Sequence, residues 1–357
     1  MEKLRAGVLG ATGLAGQQVL VALHQHPWFT VSAVAGSPAS AGKPLAAALR
    51  DPSGGSRWFA DGQPDPSLLA LVCRTGAELL NEPLDLLFSA VSKDVALEWE
   101  PRFAARIPVF STASAFRYED DVPILIPGIN DAHAELIDAQ RRKRGWRGFV
   151  APIPNCTTTG LAVSLKPLQD AFGLRTVMMT SMQAVSGAGR QGGVLALDVI
   201  DNVIPYIPDE EEKVERETKK ILGGAGQPAS FAISCTCTRV NVQDGHTEAV
   251  YVGTERACDA SQAAQAMNRF TTQGLKGLPS APERLLRVET DPFRPQPRRD
   301  RDAGDGMTVT VGRLRDEPVL FGVKYVVLSH KTKLGAGKGA VLVAEWLTRE
   351  GYVKRVD

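Results

Sequence analysis

A glycine-rich turn near the start constrains the fold of this chain more than any other feature. The apolar run LRAGVLGA, residues 4–11, predicts a strand, and the following segment, residues 14–26, has apolar residues at helical spacing. Gly10, Gly13 and Gly16 lie at the junction. Glycines at such a turn let the backbone approach a pyrophosphate, which the helix N-terminus attracts. The turn therefore favours a dinucleotide site over a simple tight turn.

Further strands and helices alternate after this turn. Strands are predicted at 29–36, 84–91 and 107–114, with helical segments such as AAALR and ALEWEPRFAA among them. This alternation is typical of an α/β chain with a doubly wound parallel sheet of the Rossmann type and right-handed crossovers.

The pattern changes after about residue 155. A predicted helix over 156–172 and a strand over 175–185 precede four stretches of alternating residues, FAISCTCTRVNV, TEAVYVGTE, MTVTVGRLR and VLFGVKYVVLS. These predict an α+β second domain with an antiparallel or mixed sheet that is covered on one face. We expect the helical segment 339–352 to pack back onto the first domain, so that residues 1–154 plus 331–357 form one domain and residues 155–330 the other.

Composition excludes several classes of partner. The chain has 41 basic and 40 acidic residues and a net charge of +1, so no overall field draws it to nucleic acid or anionic lipid. It contains no run of 18 apolar residues and no signal-peptide pattern, which predicts a cytoplasmic protein without a membrane anchor. Its odd number of widely spaced cysteines predicts neither a disulfide framework nor a metal site. A small-molecule substrate is expected.

The end of the second predicted strand distinguishes between the two nicotinamide cofactors. A carboxylate there binds the ribose 2′-hydroxyl of NAD, whereas this chain has Ser37, Ser40 and Lys43 and no acidic residue. The segment favours NADP(H), with NAD use still possible. The complete set of predicted cofactor contacts is Gly10, Thr12, Gly13, Leu14, Ala15, Ser37, Ser40, Lys43, Ser186 and Gly187.

Cys156 is the candidate nucleophile. It follows Asn155, a predicted N-cap, and begins a segment with helical rhythm, so its thiol lies at a helix N-terminus, where the dipole stabilises a thiolate. A buried structural thiol is the alternative on local grounds. Pro167 is expected to kink or end this helix near Lys166.

Three further segments carry candidate residues. QAVSGAGRQGG, residues 183–193, is either a ligand-binding loop or a flexible one. In TRVNVQDGHTEAV, Arg239 suits a carboxylate, and His246 is either a proton shuttle or a structural histidine. The run 208–220 predicts a solvated helix face with pairs such as Lys213 with Glu217.

Six segments in order resemble the aspartate-semialdehyde dehydrogenases, especially their archaeal and fungal branch: GATGLAG, SAFRYEDDVPILIPGIN, PNCTT, QAVSGAG, DNVIPYIPDEEEKVERETKKIL and RVNVQDGHTEAV. The resemblance covers nearly the whole chain. It implies NADPH-dependent reduction of L-aspartyl 4-phosphate to aspartate 4-semialdehyde, in a homodimer or homotetramer whose second domain is both catalytic and dimerising.

The resemblance also implies a role for each matching residue. Cys156 forms a thioacyl intermediate and His246 is the acid/base. The implied substrate contacts are Arg239 with the α-carboxylate, Glu210 with the ammonium, Gln183 beside the reacting carbon, and Lys213, Arg117 and Asn155 with the phosphate.

Three residues depart from the pattern of that family. Ala39 stands where an arginine is common, Lys331 stands where an asparagine is expected near the nicotinamide, and Arg190 stands where an aromatic residue is expected. Related acyl reductases, which act on malonyl-CoA or N-acetyl-glutamyl phosphate, share the Cys and His logic and stay open as alternatives. A dinucleotide sensor without catalysis is a more distant one.

Overall fold

Two six-stranded sheets organise residues 2–188 and 196–356, which this computed structural model describes. The strands are β1 Leu4–Leu9, β2 Phe29–Ala35, β3 Cys73–Arg74, β4 Leu86–Ser89, β5 Pro108–Ser111, β6 Phe149–Pro152, β7 Leu174–Gln183, β8 Ala232–Arg239, β9 His246–Thr254, β10 Leu286–Val288, β11 Val309–Glu317 and β12 Gly322–Ser329. The helices are α1 Leu14–Leu23, α2 Leu45–Ala48, α3 Pro66–Leu69, α4 Gly76–Leu80, α5 Lys93–Ala104, α6 Leu136–Arg144, α7 Cys156–Phe172, α8 Ala196–Val199, α9 Glu210–Leu222, α10 Ala260–Arg269, α11 Pro297–Asp300 and α12 Gly337–Arg349.

The first sheet is parallel throughout and has the order β3-β2-β1-β4-β5-β6. Alternate side chains of its strands enter two separate cores. Val8 and Phe88 pack in the layer of α1, while Leu9 and Leu87 pack on the opposite face with Phe103 of α5. Helices therefore cover both faces, and the predicted doubly wound Rossmann-type sheet is confirmed.

The second sheet is mixed, as predicted, with the order β10-β11-β12-β9-β7-β8. Its two outer pairs are parallel, and the pairs between them are antiparallel. On β7, Val177 and Met179 are buried, whereas the intervening Met178 is 49% exposed. One face of this sheet is thus covered by helices and the other carries exposed apolar side chains, which confirms the expected single covered face.

Strand register gathers the candidate residues at one end of this sheet. Gln183, the last residue of β7, lies opposite Arg239, the last residue of β8. His246, the first residue of β9, lies opposite Ser329 at the end of β12. Residues far apart in sequence therefore meet where β6 leads into α7 and its Cys156.

Helix α7 runs unbroken from Cys156 to Phe172, with Pro167 in its interior. Pro167 was expected to kink or end the helix near Lys166, and the expectation of an end is wrong. An interior proline removes one backbone hydrogen bond at a cost of about 3 kcal/mol. Here nearly every residue from Thr157 to Leu168 is buried between the second sheet and neighbouring helices, and this packing outweighs the penalty.

The last helix lies against the first sheet. Helix α12 contacts α1 and β5, as expected for a segment that returns to the first domain. Gly337 lets the two helices approach closely, since a Cβ atom there would lie 2.6 Å from the backbone carbon of Gln18. Over residues 2–188 and 196–356, no helix combines the length and the hydropathy that a membrane span requires.

We predict that Gly337→Ala lowers the free energy of unfolding by about 1–3 kcal/mol, because the new methyl group pushes α12 away from α1. Thermal unfolding followed by circular dichroism measures this change. Gly224→Ala is the matched control, because the nearest atom to its new Cβ would be 3.9 Å away. Equal melting temperatures for the two variants would contradict the proposed close packing.

Candidate functional site

Cys156 is the first residue of α7, and Asn155 caps the helix as predicted. The side-chain oxygen of Asn155 accepts hydrogen bonds from the N–H groups of Thr157, at 2.8 Å, and Thr158, at 3.3 Å. The cap fixes the first turn, and it places the Cys156 thiol at the positive end of the helix dipole.

Two carboxylates of α9 hold this helix start in place. Both oxygens of Glu210 accept from Asn155 Nδ2 at 3.0 Å, and Glu210 Oε1 also accepts from Thr157 Oγ1 at 3.3 Å and from Gln183 Nε2 at 3.0 Å. Glu217 Oε2 accepts from the backbone N–H of Asn155 at 2.6 Å. The position of Cys156 therefore depends on the docking of α9.

Helix α9 has the predicted solvated face, which carries Glu212 and Arg216, but the predicted Lys213–Glu217 pair is wrong. Glu217 is fully buried and pairs with Arg117, whose Nη1 lies 3.1 Å from Glu217 Oε1. Lys213 lies instead 3.9 Å from Asp209 Oδ2, outside the hydrogen-bond network of Cys156 as far as the structure describes it. Helical spacing carried a signal for the buried face, since Glu210, Val214, Glu217 and Ile221 recur every three to four residues.

His246 lies beside the thiol. Its Nε2 atom is 3.3 Å from Cys156 Sγ, and its Nδ1 atom accepts a hydrogen bond from the backbone N–H of Ala184 at 3.0 Å. Because Nδ1 acts as the acceptor, the neutral imidazole carries its proton on Nε2. That N–H group points at the sulfur.

Burial and nearby charges set the ionisation of this pair. Burial raises the pKa of Cys156 and Glu210 raises it further, whereas Lys331, Arg117 and Arg239 lower it. Burial also holds the pKa of His246 well below its ordinary value, and the surrounding cations add to that effect. A cluster of cations thus opposes the desolvation of the thiolate.

Arg239 and Gln183 complete the rim of the site. Arg239 is 5% exposed, and its Nη1 donates to the carbonyl of Ala184 at 2.8 Å. A Cβ on Gly187 would lie 2.5 Å from that nitrogen, so a larger residue there would displace the Arg239 guanidinium. Ser186 Oγ donates to Asp244 Oδ1 at 2.5 Å, which anchors the turn. Arg190 lies outside the described residues, as does the rest of 189–195.

The glycine turn of the first sheet fits a dinucleotide pyrophosphate. Gly10 has a φ of +88°, and its Cβ would lie 2.3 Å from the carbonyl oxygen of Ala90. A Cβ on Gly16 would lie 2.1 Å from the oxygen of Gly10. Gly13 is the N-cap of α1 and offers no side chain to its first N–H groups. The predicted contacts at the turn are all partly or fully exposed: Gly10, Thr12, Gly13, Leu14 and Ala15.

The predicted 2′-phosphate contacts lie together after β2. Ser37 Oγ is 3.3 Å from Ser40 Oγ, and Lys43 is exposed one turn further along. Ala39, where an arginine was expected, is also exposed. Hydroxyl groups and an ammonium group suit a phosphate better than a ribose hydroxyl, so the residues present fit NADP(H).

Among the residues that the structure describes, one group of side chains has the composition of a metal site. Asp61, Asp302 and His330 place one ligand atom each within 4.8 Å of one another. Lys333 Nζ lies 2.9 Å from Asp61 and 3.3 Å from Asp302, so an ammonium already neutralises these carboxylates. The absence of a metal site stays a prediction.

Comparison with known proteins assigns both halves of the chain. A family model described as semialdehyde dehydrogenase, NAD binding domain, matches residues 5–137, and one described as semialdehyde dehydrogenase, dimerisation domain, matches residues 165–333.

Named relatives match almost the full length. The aspartate-semialdehyde dehydrogenase of Methanothermobacter thermautotrophicus is 42% identical over 96% of this chain and 98% of that protein. That of Archaeoglobus fulgidus is 44% identical over 97% of this chain and 98% of that protein. The crystal structure of aspartate-semialdehyde dehydrogenase with NADP from Candida albicans matches with a TM-score of 0.86 at 36% identity, over 99% of this chain and 100% of that one.

We predict that Glu217→Ala lowers the free energy of unfolding by about 3 kcal/mol, because it leaves the buried Arg117 guanidinium and the Asn155 N–H without a carboxylate. Urea unfolding measures the loss. Glu212→Ala, on the exposed face of the same helix, should stay within about 0.5 kcal/mol of wild type. Similar losses for both variants would show that the contacts of Glu217 do not contribute to the free energy of unfolding.

Proposed function

Because this chain belongs to the aspartate-semialdehyde dehydrogenase family, we propose that Cys156 is the nucleophile of its reaction. The chain is an NADP-dependent oxidoreductase of amino-acid biosynthesis that catalyses the reductive dephosphorylation of L-aspartyl 4-phosphate to L-aspartate 4-semialdehyde. The observation that carries the proposal is the 3.3 Å contact between Cys156 Sγ and His246 Nε2 at the start of α7.

The first step is acyl transfer to sulfur. The Cys156 thiolate attacks the acyl carbon, a C–S bond forms, and the C–O bond to phosphate breaks, so that phosphate leaves with the electron pair. Arg117, Lys213 and Asn155 are the proposed phosphate contacts. Arg117 lies near enough to Cys156 to lower its pKa, and Lys213 lies one turn after Glu210 on α9.

The second step regenerates the thiolate. NADPH, when bound, supplies the hydride that reduces the thioester carbonyl. We assign His246 as the acid/base residue, since its Nε2 atom lies 3.3 Å from the reacting sulfur. Collapse of the thiohemiacetal breaks the C–S bond and releases the aldehyde.

Three buried side chains suit the amino-acid end of the substrate. The guanidinium of Arg239 suits the α-carboxylate, and the carboxylate of Glu210 suits the ammonium. Gln183 donates to Glu210 at 3.0 Å and lies beside the same helix start, so it orients the substrate near Cys156. An acetylated amine or a CoA thioester would leave Glu210 without an ionic partner, which argues against the rival acyl reductases.

The cofactor contacts and the domain division follow from the two sheets. We assign the pyrophosphate to the glycine turn at Gly10 to Ala15, the 2′-phosphate to Ser37, Ser40 and Lys43, and the nicotinamide side to Ser186 and Gly187. Residues 1–154 plus 331–357 form the NADP-binding domain, and 155–330 form the catalytic and dimerisation domain. The packing of α12 on α1 supports this division.

The exposed face of the second sheet is the proposed dimer interface. Met178 of β7 lies opposite Tyr251 of β9, and these side chains are 49% and 39% exposed. Met182 continues the same apolar strip at 36% exposure. A dimerisation-domain match that covers this sheet supports the use of this face between two copies.

We predict that Cys156→Ala lowers phosphate-dependent reduction of NADP with L-aspartate 4-semialdehyde by about a thousandfold or more, with an unchanged circular dichroism spectrum. The same assay with NAD measures cofactor preference. An active Cys156→Ala protein would overturn the thioacyl mechanism. If the wild-type protein reduces only malonyl-CoA or N-acetyl-glutamyl phosphate, the assignment of L-aspartyl 4-phosphate as its substrate is wrong.

We predict that the double substitution Met178→Arg and Tyr251→Arg converts the protein into a monomer of 38.3 kDa, because it buries like charges in the proposed interface. Light scattering coupled to size-exclusion chromatography measures the molar mass. Leu97→Arg, on the exposed side of α5 in the first domain, is the control that keeps the wild-type mass. If the double variant also keeps that mass, the subunits meet elsewhere.

A further inference from the structure

The hydrogen bonds of His246 disfavour its charged form. An imidazolium carries an N–H group at both ring nitrogens, yet the backbone N–H of Ala184 already donates to Nδ1 at 3.0 Å. If Nδ1 were protonated, its N–H would face the N–H of Ala184, and two hydrogen-bond donors would meet without an acceptor in a fully buried position. A thiolate at Cys156 therefore needs a cation other than His246.

Lys331 lies on the loop that covers Cys156. The loop is closed by a hydrogen bond from the N–H of Gly335 to the carbonyl of His330, at 3.1 Å. Gly335 packs directly on the nucleophile, since a Cβ there would lie 2.8 Å from Cys156 Cβ. Lys331 itself is 5% exposed, and its ammonium has no hydrogen bond or ion pair with any residue that the structure describes.

Charged and titratable groups face this loop from several elements, and beyond Lys331 itself Lys333 pairs with Asp61, Asp302 and Asp305. The groups that act on the Lys331 ammonium or on the neighbouring His246 of β9 are Cys156 of α7, Glu210 of α9, Arg239 of β8, Asp244 of the β8–β9 turn and His330 of the loop itself. Burial lowers the pKa of Lys331 to about 8, while Cys156 is the strongest influence that raises it. Lys331 is in turn the cation that most lowers the pKa of the thiol.

We propose that Lys331 is the counter-cation of the Cys156 thiolate in the enzyme before substrate binds, a state in which His246 is neutral and donates from Nε2. The proposal rests on the proposed function, because it specifies how that nucleophile is charged. The chemistry begins and ends with the thiolate. The thiolate displaces phosphate, hydride gives the tetrahedral alkoxide, and collapse of the alkoxide yields the aldehyde and the same thiolate.

Alkylation of Cys156 by iodoacetamide tests the counter-cation. The rate is followed across pH 5–10 by mass spectrometry of the Cys156 peptide, without substrate or cofactor. Lys331→Met should raise the midpoint of the profile by about one pH unit and slow alkylation about tenfold at pH 7. Lys331→Arg should stay close to wild type. Lys338→Met removes a nearby cation that pairs with Asp305, and it should leave the profile unchanged.

Nitrogen NMR of histidine-labelled wild-type protein tests the state of His246 and needs no variant at position 331. The His246 resonance is assigned by its loss in His246→Gln. We expect a neutral ring with its proton on Nε2 over the whole pH range in which Cys156 ionises. A protonated ring that loses its charge together with the thiol, or a Lys331→Met profile that superimposes on wild type, would overturn the inference.

The two proposals fail in different ways. If Cys156 of the wild-type protein resists alkylation at every pH, the proposed nucleophile itself is wrong. If Cys156 alkylates readily in wild type and equally well in Lys331→Met, the nucleophile stands and only the role of Lys331 falls.

Discussion

The start of α7 is held between two buried carboxylates, and the rest of the site depends on this arrangement. Glu217 accepts the backbone N–H of Asn155, and Glu210 accepts the side chain of the same residue. Together they fix the position of the cap and of Cys156 after it. The helix dipole favours negative charge at this end, so the carboxylates suit the helix. They do not suit the thiolate, since Glu210 raises the pKa of Cys156.

The cations around the site follow from that conflict. Arg117 pairs with Glu217, and Arg239 and Lys331 have no carboxylate partner within the described residues, although each lowers the pKa of the thiol. The Glu210 and Glu217 charges, with a thiolate at Cys156, equal the three positive charges of Arg117, Arg239 and Lys331. Glu248 adds nothing to this balance, because burial raises its pKa well above the ordinary range and keeps it neutral.

The sequence predicted the fold and the residues of the site better than it predicted the contacts that those residues make. Spacing alone located β1, α1 and most strands, and Asn155 was recognisable as a cap from its place before a helical segment. In the charge-rich run of α9, opposite charges at i and i+4 indicated a solvated pair. That indication fails where neighbouring elements bury one of the two residues. The spacing of Val214 and Ile221 was compatible with an inward-facing Glu217, and the contacts of Glu217 with Asn155 and Arg117 establish it.

Two other features depended on contacts that no local pattern encodes. Pro167 suggested a helix end, but the burial of α7 on all sides overrides that preference. Lys331 was noticeable in the sequence only as a replaced asparagine. The role proposed for Lys331 depends on two contacts: the approach of Gly335 to Cys156, and the hydrogen bond from the Ala184 N–H that fixes the tautomer of His246. Both contacts are made by backbone atoms, and sequence patterns carry little information about where backbone atoms of distant segments meet.

The unpaired donors of the site indicate what kind of ligand it is built for. Arg117 Nε and Arg239 Nε are buried and have no hydrogen-bond partner among the described residues. A buried donor without a hydrogen-bond partner costs about 1–3 kcal/mol, and a charged donor costs more. A ligand that supplies an acceptor to each of the two donors recovers that free energy on binding. Arg117 lies in the loop between β5 and α6 and pairs with Glu217 of α9, whereas Arg239 is the last residue of β8. Under the roles proposed for Arg117 and Arg239, the phosphate and the α-carboxylate of one substrate would supply these two acceptors.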